Sequence, residues 1–267
     1  MSAQPPHRPR KRFGQHFLRD QQTIERILRL VDSDTDTALV EIGPGLGALT
    51  MPLLKRHSAL TVVELDRDLI PRLTSAAAGL GDLVVHQADA LGFDYTALAK
   101  SLGKQLQLVG NLPYNISTPL MFHLFEQQRV IDRMHFMLQQ EVVDRLAAAP
   151  GDKAYGRLGI MAQYRCAVVP AFPVPPECFD PPPRVNSAVV SLLPRQEPPF
   201  DVGDFDDFQR VVTSAFSGRR KTLRNALSAH LSESDIRSAG VDPQARAERI
   251  TPVEYAALSR QLGALGA

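Results

Sequence analysis

The stretch E-I-G-P-G-L-G at Glu41–Gly47 follows an apolar run and precedes a helical pattern over residues 46–57. Glycines are required where the backbone turns sharply after a strand and approaches a ligand with no Cβ in the way. The pattern G-x-G-x-G suits an S-adenosylmethionine site, but Gly43, Gly45 and Ala48 also fit the dinucleotide pattern G-x-G-x-x-G/A. The stretch therefore predicts a strand, a cofactor-binding loop and a helix, and leaves the nucleoside cofactor open.

Short apolar runs alternate with helical patterns on both sides of this loop. Strands are predicted at Ala38–Ile42, Leu60–Leu65, Leu83–His86, Gln107–Gly110, His135–Leu138, Ala167–Phe172 and Ala188–Leu193. Helices are predicted at 46–57, 67–78, 94–102, 117–128, 140–148 and 156–164, and an earlier amphipathic helix follows the N-cap Asp20. This alternation predicts an α/β fold with a doubly wound, Rossmann-like and largely parallel sheet. The last two strands lack an intervening helix and are expected to form an antiparallel edge.

Three segments are predicted along the chain. Residues 1–12 are basic and contain three prolines, which indicates a disordered arm, and residues 13–195 carry the sheet and its motifs. A proline cluster at 194–199 marks a linker to a small helical domain over 200–267. Helices of that domain are predicted at 204–217, 219–230, 233–239 and 251–263, the last beginning with the capping box Thr251–Glu254.

Composition restricts the class of protein. Of 267 residues, 44% are hydrophobic, which is enough to form a packed core. The formal net charge of +1 excludes a uniformly basic surface. No apolar run reaches the roughly 18–20 residues of a membrane span, and no apolar stretch of the signal-peptide type follows the basic N-terminus. Cys166 and Cys178 form neither a disulfide framework nor a metal-ligand cluster, so a cytoplasmic protein without a metal site is expected.

Two carboxylates at later strand ends support a nucleoside cofactor. Glu64 lies about 20 residues after the glycine loop, where a carboxylate accepts from the ribose hydroxyls of either cofactor. Asp89 follows the third predicted strand and is placed to accept from an adenine amino group, although an acid there is also typical of a helix cap. In series with Gly43 and Glu64, it favours S-adenosylmethionine.

The tetrapeptide Asn111-Leu112-Pro113-Tyr114 directly follows the fourth predicted strand and resembles the [N/D]-[ILP]-P-[YFW] signature of enzymes that methylate exocyclic amines. The adenine amino nitrogen is a poor nucleophile because its lone pair is delocalised into the ring. Acceptors on Asn111 and on the Leu112 carbonyl are predicted to draw this nitrogen toward a pyramidal geometry, and Pro113 disfavours helix at Leu112. Tyr114 offers a face for stacking the base, worth roughly 1–3 kcal/mol.

From about Arg10 to the C-terminus the chain resembles the bacterial ribosomal RNA small-subunit (16S) adenine dimethyltransferases. Relatives of that family include the erythromycin-resistance methyltransferases and the mitochondrial transcription factor B proteins. Besides the motifs above, the resemblance rests on G-Q-H-F-L at 14–18, on Phe179–Ser187 and on the basic box Phe216–Leu223. It implies dimethylation of the N6 amino groups of two adjacent adenosines near the 3′ end of 16S RNA, within the 30S subunit or its precursor, during ribosome biogenesis.

The resemblance also implies roles for single residues. Contacts with S-adenosylmethionine are implied for Gln15, His16, Leu18, Gly43, Gly45, Gly47, Glu64, Leu65, Asp89, Ala90 and Asn111. The implied catalytic group is Asn111–Tyr114 together with Phe179, whose ring would form a sandwich with Tyr114 around an extruded adenine. His16 stands where the family commonly has asparagine; either donates to the cofactor carboxylate, and a histidine makes the affinity more sensitive to pH.

Two basic segments contain no acidic residue. Residues 1–19 and 208–232 each carry five Lys or Arg residues, so the rest of the chain carries −9. We predict RNA phosphate contacts in these segments, at Arg10, Lys11, Arg12, Arg219, Arg220, Lys221 and Arg224. The helical domain is therefore expected to bind RNA or the ribosome. The protein is expected to be a monomer.

Three other functions fit parts of the pattern. An erythromycin-resistance-type enzyme would methylate 23S RNA, and an assembly or transcription factor could keep the fold and bind RNA without turnover. A dehydrogenase would bind NAD in the glycine loop. The intact Asn111–Tyr114 tetrapeptide argues against the second alternative, and the series of strand-end motifs argues against the third.

Overall fold

The computed structural model describes residues 16–31, 36–218 and 220–266. The chain divides into two compact units, the first of Met1–Val143 and Val169–Pro194, the second of Asp144–Val168 and Arg195–Ala267. The predicted arm at residues 1–12 lies outside the described residues.

Strands and helices alternate along most of the chain. The strands are β1 (Phe17–Leu18), β2 (Thr37–Ile42), β3 (Ala59–Glu64), β4 (Asp82–Gln87), β5 (Gln105–Asn111), β6 (Ile131–Gln139), β7 (Cys166–Val174), β8 (Phe179–Asp180) and β9 (Ser187–Pro194). The helices are α1 (Gln21–Leu30), α2 (Thr50–His57), α3 (Ile70–Ala77), α4 (Tyr95–Leu102), α5 (Ser117–Glu126), α6 (Gln140–Ala147), α7 (Arg157–Arg165), α8 (Phe205–Ala215), α9 (Leu223–Ala226), α10 (Glu233–Ser238) and α11 (Pro252–Gly266).

The main sheet has seven strands in the order β4-β3-β2-β5-β6-β9-β7. The pairs from β4 through β6 are parallel, and β9 pairs antiparallel with β6, which confirms the predicted Rossmann-like α/β fold. β9 and β7 lie at one end of the order, as the sequence predicts. The chain runs outward from β2 to β4 and then returns to β5, so the strand order reverses between β2 and β5. In open α/β sheets, ligands bind outside the carboxyl ends of the strands at such a point.

Local sequence explains how this reversal point is built. Gly110 in β5 lies so close to β2 that an added Cβ would stand 2.5 Å from the Ile42 carbonyl oxygen, which only glycine avoids. At the start of α1 the Thr23 amide donates to the predicted N-cap Asp20 at 2.7 Å. The apolar face of α1 is buried in the core through Ile24 and Ile27, as its periodicity predicts.

The second unit is helical and holds an aromatic cluster. The ring of Tyr164 in α7 stacks on Phe205 with centroids 5.7 Å apart and lies 5.3 Å from Phe208. The Arg165 guanidinium lies 3.9 Å from the centroid of the Phe205 ring. These contacts explain why residues 144–168 group with the C-terminal helices, whereas the sequence predicts one boundary between 195 and 200.

Helix ends in this unit follow the sequence to different degrees. The predicted capping box is confirmed, since the Thr251 amide donates to Glu254 at 2.7 Å and the Glu254 amide donates to the Thr251 hydroxyl at 3.2 Å. The helix predicted over 219–230 is wrong in length, because of the described residues 220–230 only Leu223–Ala226 is helical. Across the described residues, no helix has the length and apolar character needed to span a membrane.

Candidate active site

A cavity of about 920 Å³ opens at the carboxyl ends of the parallel strands, where the strand order reverses. Its lining brings together these predicted site residues: His16, Leu18, Gly43, Gly45, Gly47, Glu64, Leu65, Asp89, Ala90, Asn111, Leu112, Pro113 and Tyr114. Residues predicted from five separate stretches of sequence thus share one cavity. Gln15 lies outside the described residues.

The glycine loop has the backbone conformation that its sequence predicts. Gly43, Gly45 and Gly47 have φ values of +68°, +57° and +87°, in the left-handed region that favours glycine. A Cβ on Gly45 would also stand 3.2 Å from the ring of Phe17. The loop therefore leaves its backbone bare toward the cavity, and Phe17, to which the sequence assigns no role, closes the loop on one side.

The carboxylate of Glu64 is held by main-chain donors at the end of β3. It accepts from the Asp66 amide at 2.7 Å and from the Gly45 amide at 3.3 Å, and the residue is 7% exposed. Burial raises the pKa of this carboxyl, and the two backbone donors counteract the rise. Glu64 thus ties the glycine loop to the neighbouring strand, with its oxygens fixed at the cavity wall.

Glu41, the first residue of the quoted loop, is a second buried acid to which the sequence assigns no role. It is 2% exposed, and its carboxyl accepts a 2.6 Å hydrogen bond from the Thr50 hydroxyl. Burial, with a smaller contribution from the nearby Glu64, raises the pKa of Glu41 to about 8. At neutral pH this carboxyl is therefore mostly protonated, which lowers the negative charge that faces the cavity.

The tetrapeptide is anchored at both ends. The Asn111 amide nitrogen donates to the His16 carbonyl at 3.0 Å, and the Leu112 amide donates to the Met137 carbonyl at 3.1 Å. Near its other end, the Pro113 carbonyl accepts from the Ile116 amide at 3.2 Å, which turns the chain toward α5. Because a carbonyl only accepts, the bond to His16 fixes the orientation of the Asn111 amide and leaves its oxygen for another donor.

Tyr114 has polar and aromatic contacts. Its hydroxyl lies 2.7 Å from the Ser187 hydroxyl, and its ring stacks on His16 with centroids 5.6 Å apart and an interplanar angle of 26°. Burial raises the pKa of Tyr114 above its ordinary value, so the phenol stays neutral at physiological pH. Ser187 is fully buried at the start of β9, and the sequence gives it no role of its own.

His16 also contacts the late proline-rich segment. Its Nδ1 lies 2.8 Å from the Pro181 carbonyl oxygen, so Nδ1 carries a proton and donates. Nδ1 is thereby occupied, so Nε2 is the nitrogen left for the predicted contact with a cofactor carboxylate, and it donates only when the ring carries both protons.

Phe179 is the predicted catalytic residue that the structure does not bring into the cavity. It is 4% exposed, belongs to the hydrophobic core and does not line the cavity. The reason is a short pairing of β8 with β1, which places Phe179 opposite Leu18. The sandwich of Phe179 and Tyr114 around an adenine stays a prediction.

The predicted RNA contacts are described only in part. Arg10, Lys11, Arg12 and Arg219 lie outside the described residues, while Arg220 and Lys221 are exposed. Arg224 forms an ion pair with Glu233 at 3.3 Å, and hydrogen bonds from Arg237 and Arg224 lower the pKa of that carboxyl. Within the described ranges no group of three or more His, Cys, Asp or Glu residues could hold a metal ion.

Comparison with known proteins places these features in context. A family model described as ribosomal RNA adenine dimethylase matches residues 6–262. The chain is 53% identical over 256 residues to "Ribosomal RNA small subunit methyltransferase A" of Shewanella loihica, covering 96% of this chain and 95% of the relative. It is also 53% identical over 259 residues to the protein of that name in Erwinia tasmaniensis, covering 97% of this chain and 94% of the relative.

Two solved structures share the architecture. A dimethyladenosine transferase from Plasmodium falciparum superposes with a TM-score of 0.76 at 23% identity, over 94% of this chain and 98% of the other. The 23S rRNA methyltransferase ErmE superposes with a TM-score of 0.70 at 26% identity, over 92% of this chain and 99% of the other. At 23% identity the first of these likenesses concerns the fold alone.

Proposed function

The chain belongs to the ribosomal RNA adenine dimethylase family, and on that premise we propose that it dimethylates two adjacent adenosines near the 3′ end of 16S ribosomal RNA. The proposed methyl donor is S-adenosylmethionine, and the proposed substrate is the 30S subunit or its precursor. The observation that carries this proposal is the single cavity that unites the glycine loop, Glu64 and Asp89 with Asn111–Tyr114. We further propose that the protein acts as a monomer in the cytoplasm, during ribosome biogenesis.

The cavity fits the proposed cofactor. Its glycine loop presents bare backbone, the Glu64 carboxylate is fixed for hydroxyl donors, and Asp89 lies at the exposed mouth. Leu65 lines the same cavity with 50% of its surface exposed, which offers an apolar contact for an adenine ring. When bound, S-adenosylmethionine supplies an electrophilic methyl group on a sulfonium, which requires no metal ion.

The residues of the tetrapeptide then act on the target base. The oxygen of Asn111, oriented by the bond from its amide nitrogen to His16, is proposed to accept from the adenine amino group. The Leu112 carbonyl is proposed as a second acceptor, and Pro113 keeps Leu112 out of a helical conformation. Two acceptors directed at the amino hydrogens localise the nitrogen lone pair, so catalysis depends on positioning and electrostatics.

Tyr114 is proposed to stack the target adenine after it leaves its neighbours in the RNA. Its neutral phenol is held by Ser187 and His16, so the ring is already positioned before the base arrives. The predicted second wall, Phe179, is 4% exposed and does not line the cavity. The sandwich with Phe179 therefore remains a prediction.

The helical unit is proposed to contact RNA or the ribosome. Arg220 and Lys221 are exposed, and the described stretches 208–218 and 220–232 contain no Asp or Glu. The ion pair with Glu233 makes Arg224 a weaker choice for phosphate binding, because Glu233 neutralises its charge.

The alternatives differ in the RNA that they methylate or in the ligand that they bind. The likeness to ErmE favours 23S RNA as a second candidate, but 26% identity to it stands against 53% to the small-subunit enzymes. Transfer of labelled methyl groups from S-adenosylmethionine to undermethylated 30S particles, compared with 23S RNA, separates these two. Calorimetry with S-adenosylmethionine and NAD tests the dehydrogenase. Labelling of 23S RNA alone, or binding of NAD alone, would overturn the proposal.

A further inference from the structure

A buried serine at the start of β9 lies against the proposed stacking tyrosine. Ser187 is fully buried, and its hydroxyl lies 2.7 Å from the hydroxyl of Tyr114. The backbone around it is fixed, since Ser187 pairs with Gln139 in the antiparallel ladder and the Asn186 carbonyl accepts from the Gln140 amide at 2.9 Å. The serine hydroxyl is therefore a rigid point to which the tip of the phenol is attached.

Two contacts are needed to fix a tyrosine ring, because the side chain has two torsion angles. The phenol oxygen lies on the axis of the second torsion, so a hydrogen bond there fixes where the ring points but not the rotation of its plane. The rotation is restrained by His16, whose ring stacks on Tyr114 at 26° between planes. Ser187 and His16 together thus fix both the direction and the plane of the ring.

The position of His16 also determines which face of the ring is open to a base. The two ring centroids are 5.6 Å apart, whereas stacked bases are spaced about 3.4 Å apart, so a base between the two rings would need about 7 Å. In this arrangement a base stacks on the face of Tyr114 that His16 does not cover. Asn111 and Tyr114 line the same cavity, so a tilt of the ring would change how a base stacked on that face meets Asn111.

We propose that Ser187 is a positioning residue for the proposed methyl transfer: it holds the hydroxyl of Tyr114 so that the open ring face presents the target adenine to Asn111. Being fully buried, Ser187 acts through Tyr114 and does not touch the substrate. The inference rests on the proposed function and adds a residue that selects the productive pose of the base.

The test is a double-mutant cycle with Ser187→Ala and Tyr114→Phe, since each removes the hydrogen bond and keeps the ring. Undermethylated 30S particles and S-adenosylmethionine are the substrates, and kcat and both KM values are measured. Each single variant is expected to lower kcat about 5- to 30-fold, and the double variant is expected to be no slower than the more impaired single variant.

The KM for S-adenosylmethionine is expected to stay within about two-fold of the wild-type value, because Ser187 does not line the cofactor cavity. Ser187→Thr, which keeps the hydroxyl, is expected to recover most of the rate.

Ser191→Ala is a matched control in the same strand. Ser191 is 7% exposed, and its hydroxyl lies 2.9 Å from His135 Nδ1, so Ser191→Ala also removes a buried hydrogen bond. Ser191 does not line the cavity. The variant is expected to keep the wild-type kcat.

The outcomes separate the inference from the proposed function. A wild-type kcat in Ser187→Ala, losses that multiply in the double variant, or a Ser187→Ala protein that no longer binds S-adenosylmethionine in calorimetry would overturn the positioning role alone. A wild-type protein that transfers no methyl group to any RNA would overturn the proposed function and this inference with it.

Discussion

The side-chain amide of Asn111 donates to the backbone carbonyl of His16 across 3.0 Å. This bond joins the end of β5 to a residue 95 positions earlier in the chain and fixes the orientation of the amide. The oxygen of Asn111 is thereby available to a donor in the cavity, which is the property that amine methylation requires.

Asn111→Ala removes both the acceptor and the bond to His16. We expect kcat for methyl transfer to fall by about 100-fold or more, the range found when one oriented group that stabilises a transition state is lost. RNA binding, measured by filter retention with 30S particles, is expected to stay within about three-fold of wild type, because the predicted phosphate contacts lie elsewhere. Unchanged transfer in this variant would remove Asn111 from the catalytic group.

Gly45→Ala tests the glycine loop. The φ of +57° and the approach to the Phe17 ring at 3.2 Å both disfavour a Cβ, so we expect S-adenosylmethionine binding to weaken at least about ten-fold in calorimetry. Gly79→Ala is the matched control, since Gly79 has φ +78° and no atom within 4 Å of an added Cβ. Gly79→Ala introduces a similar backbone strain of about 1–2 kcal/mol at a position away from the cavity. The Gly79→Ala protein should therefore bind S-adenosylmethionine with the wild-type affinity. Equal weakening in both variants would assign the effect to strain alone.

The buried carboxyl of Glu41 predicts a pH-dependent stability. Its pKa rises on folding to about 8, so the folded state retains a proton that the unfolded state loses at lower pH. The stability from Glu41 is therefore complete below its unfolded pKa and is lost as pH rises toward about 8. In chemical denaturation without ligand, wild type should lose free energy of unfolding relative to Glu41→Gln between pH 5 and 8, with a limiting slope of about 1.4 kcal/mol per pH unit. A difference that does not change with pH would contradict the raised pKa.

Phe179 offers a test that separates packing from substrate contact. With 4% exposure in the core, Phe179→Ala is expected to lower the free energy of unfolding by about 3–5 kcal/mol in urea. Phe179→Leu keeps an apolar side chain and should cost less than about 1.5 kcal/mol. If the leucine variant is stable and binds S-adenosylmethionine but transfers methyl groups more slowly, the predicted sandwich gains support; a wild-type rate would exclude it. Leu193→Ala, at 43% exposure, is the control and should cost less than about 1 kcal/mol.

Much of the fold follows from local sequence. All seven predicted strands of the main sheet form, because alternation of short apolar runs with helical patterns is a local signal. The glycine loop and the Asp20 and Thr251 caps are confirmed for the same reason, since each depends on residues within one turn of the chain. The gathering of the cofactor and catalytic motifs in one cavity follows from the parallel order, which brings their strand ends together.

Contacts between distant residues could not be predicted in this way. The pairing of Leu18 with Phe179, which buries the aromatic ring, joins two-residue strands that have no periodicity to recognise. The stacking of Tyr164 on Phe205 helps to place α7 in the second unit. In the sequence, α7 continues the alternation of strands and helices that predicts the first domain. Ser187 is the last residue of the Phe179–Ser187 motif, and its partner Tyr114 lies 73 positions away in the chain.

The most direct test of the central claim is to map modified nucleosides in 16S RNA after undermethylated 30S particles are incubated with the protein and S-adenosylmethionine. Nuclease digestion and mass spectrometry should find N6,N6-dimethyladenosine at two adjacent positions in the 3′-terminal hairpin. In a parallel reaction with the Asn111→Ala protein, both positions should remain unmodified. Particles that remain unmodified while 23S RNA in the same assay gains methyl groups on adenine would contradict the account.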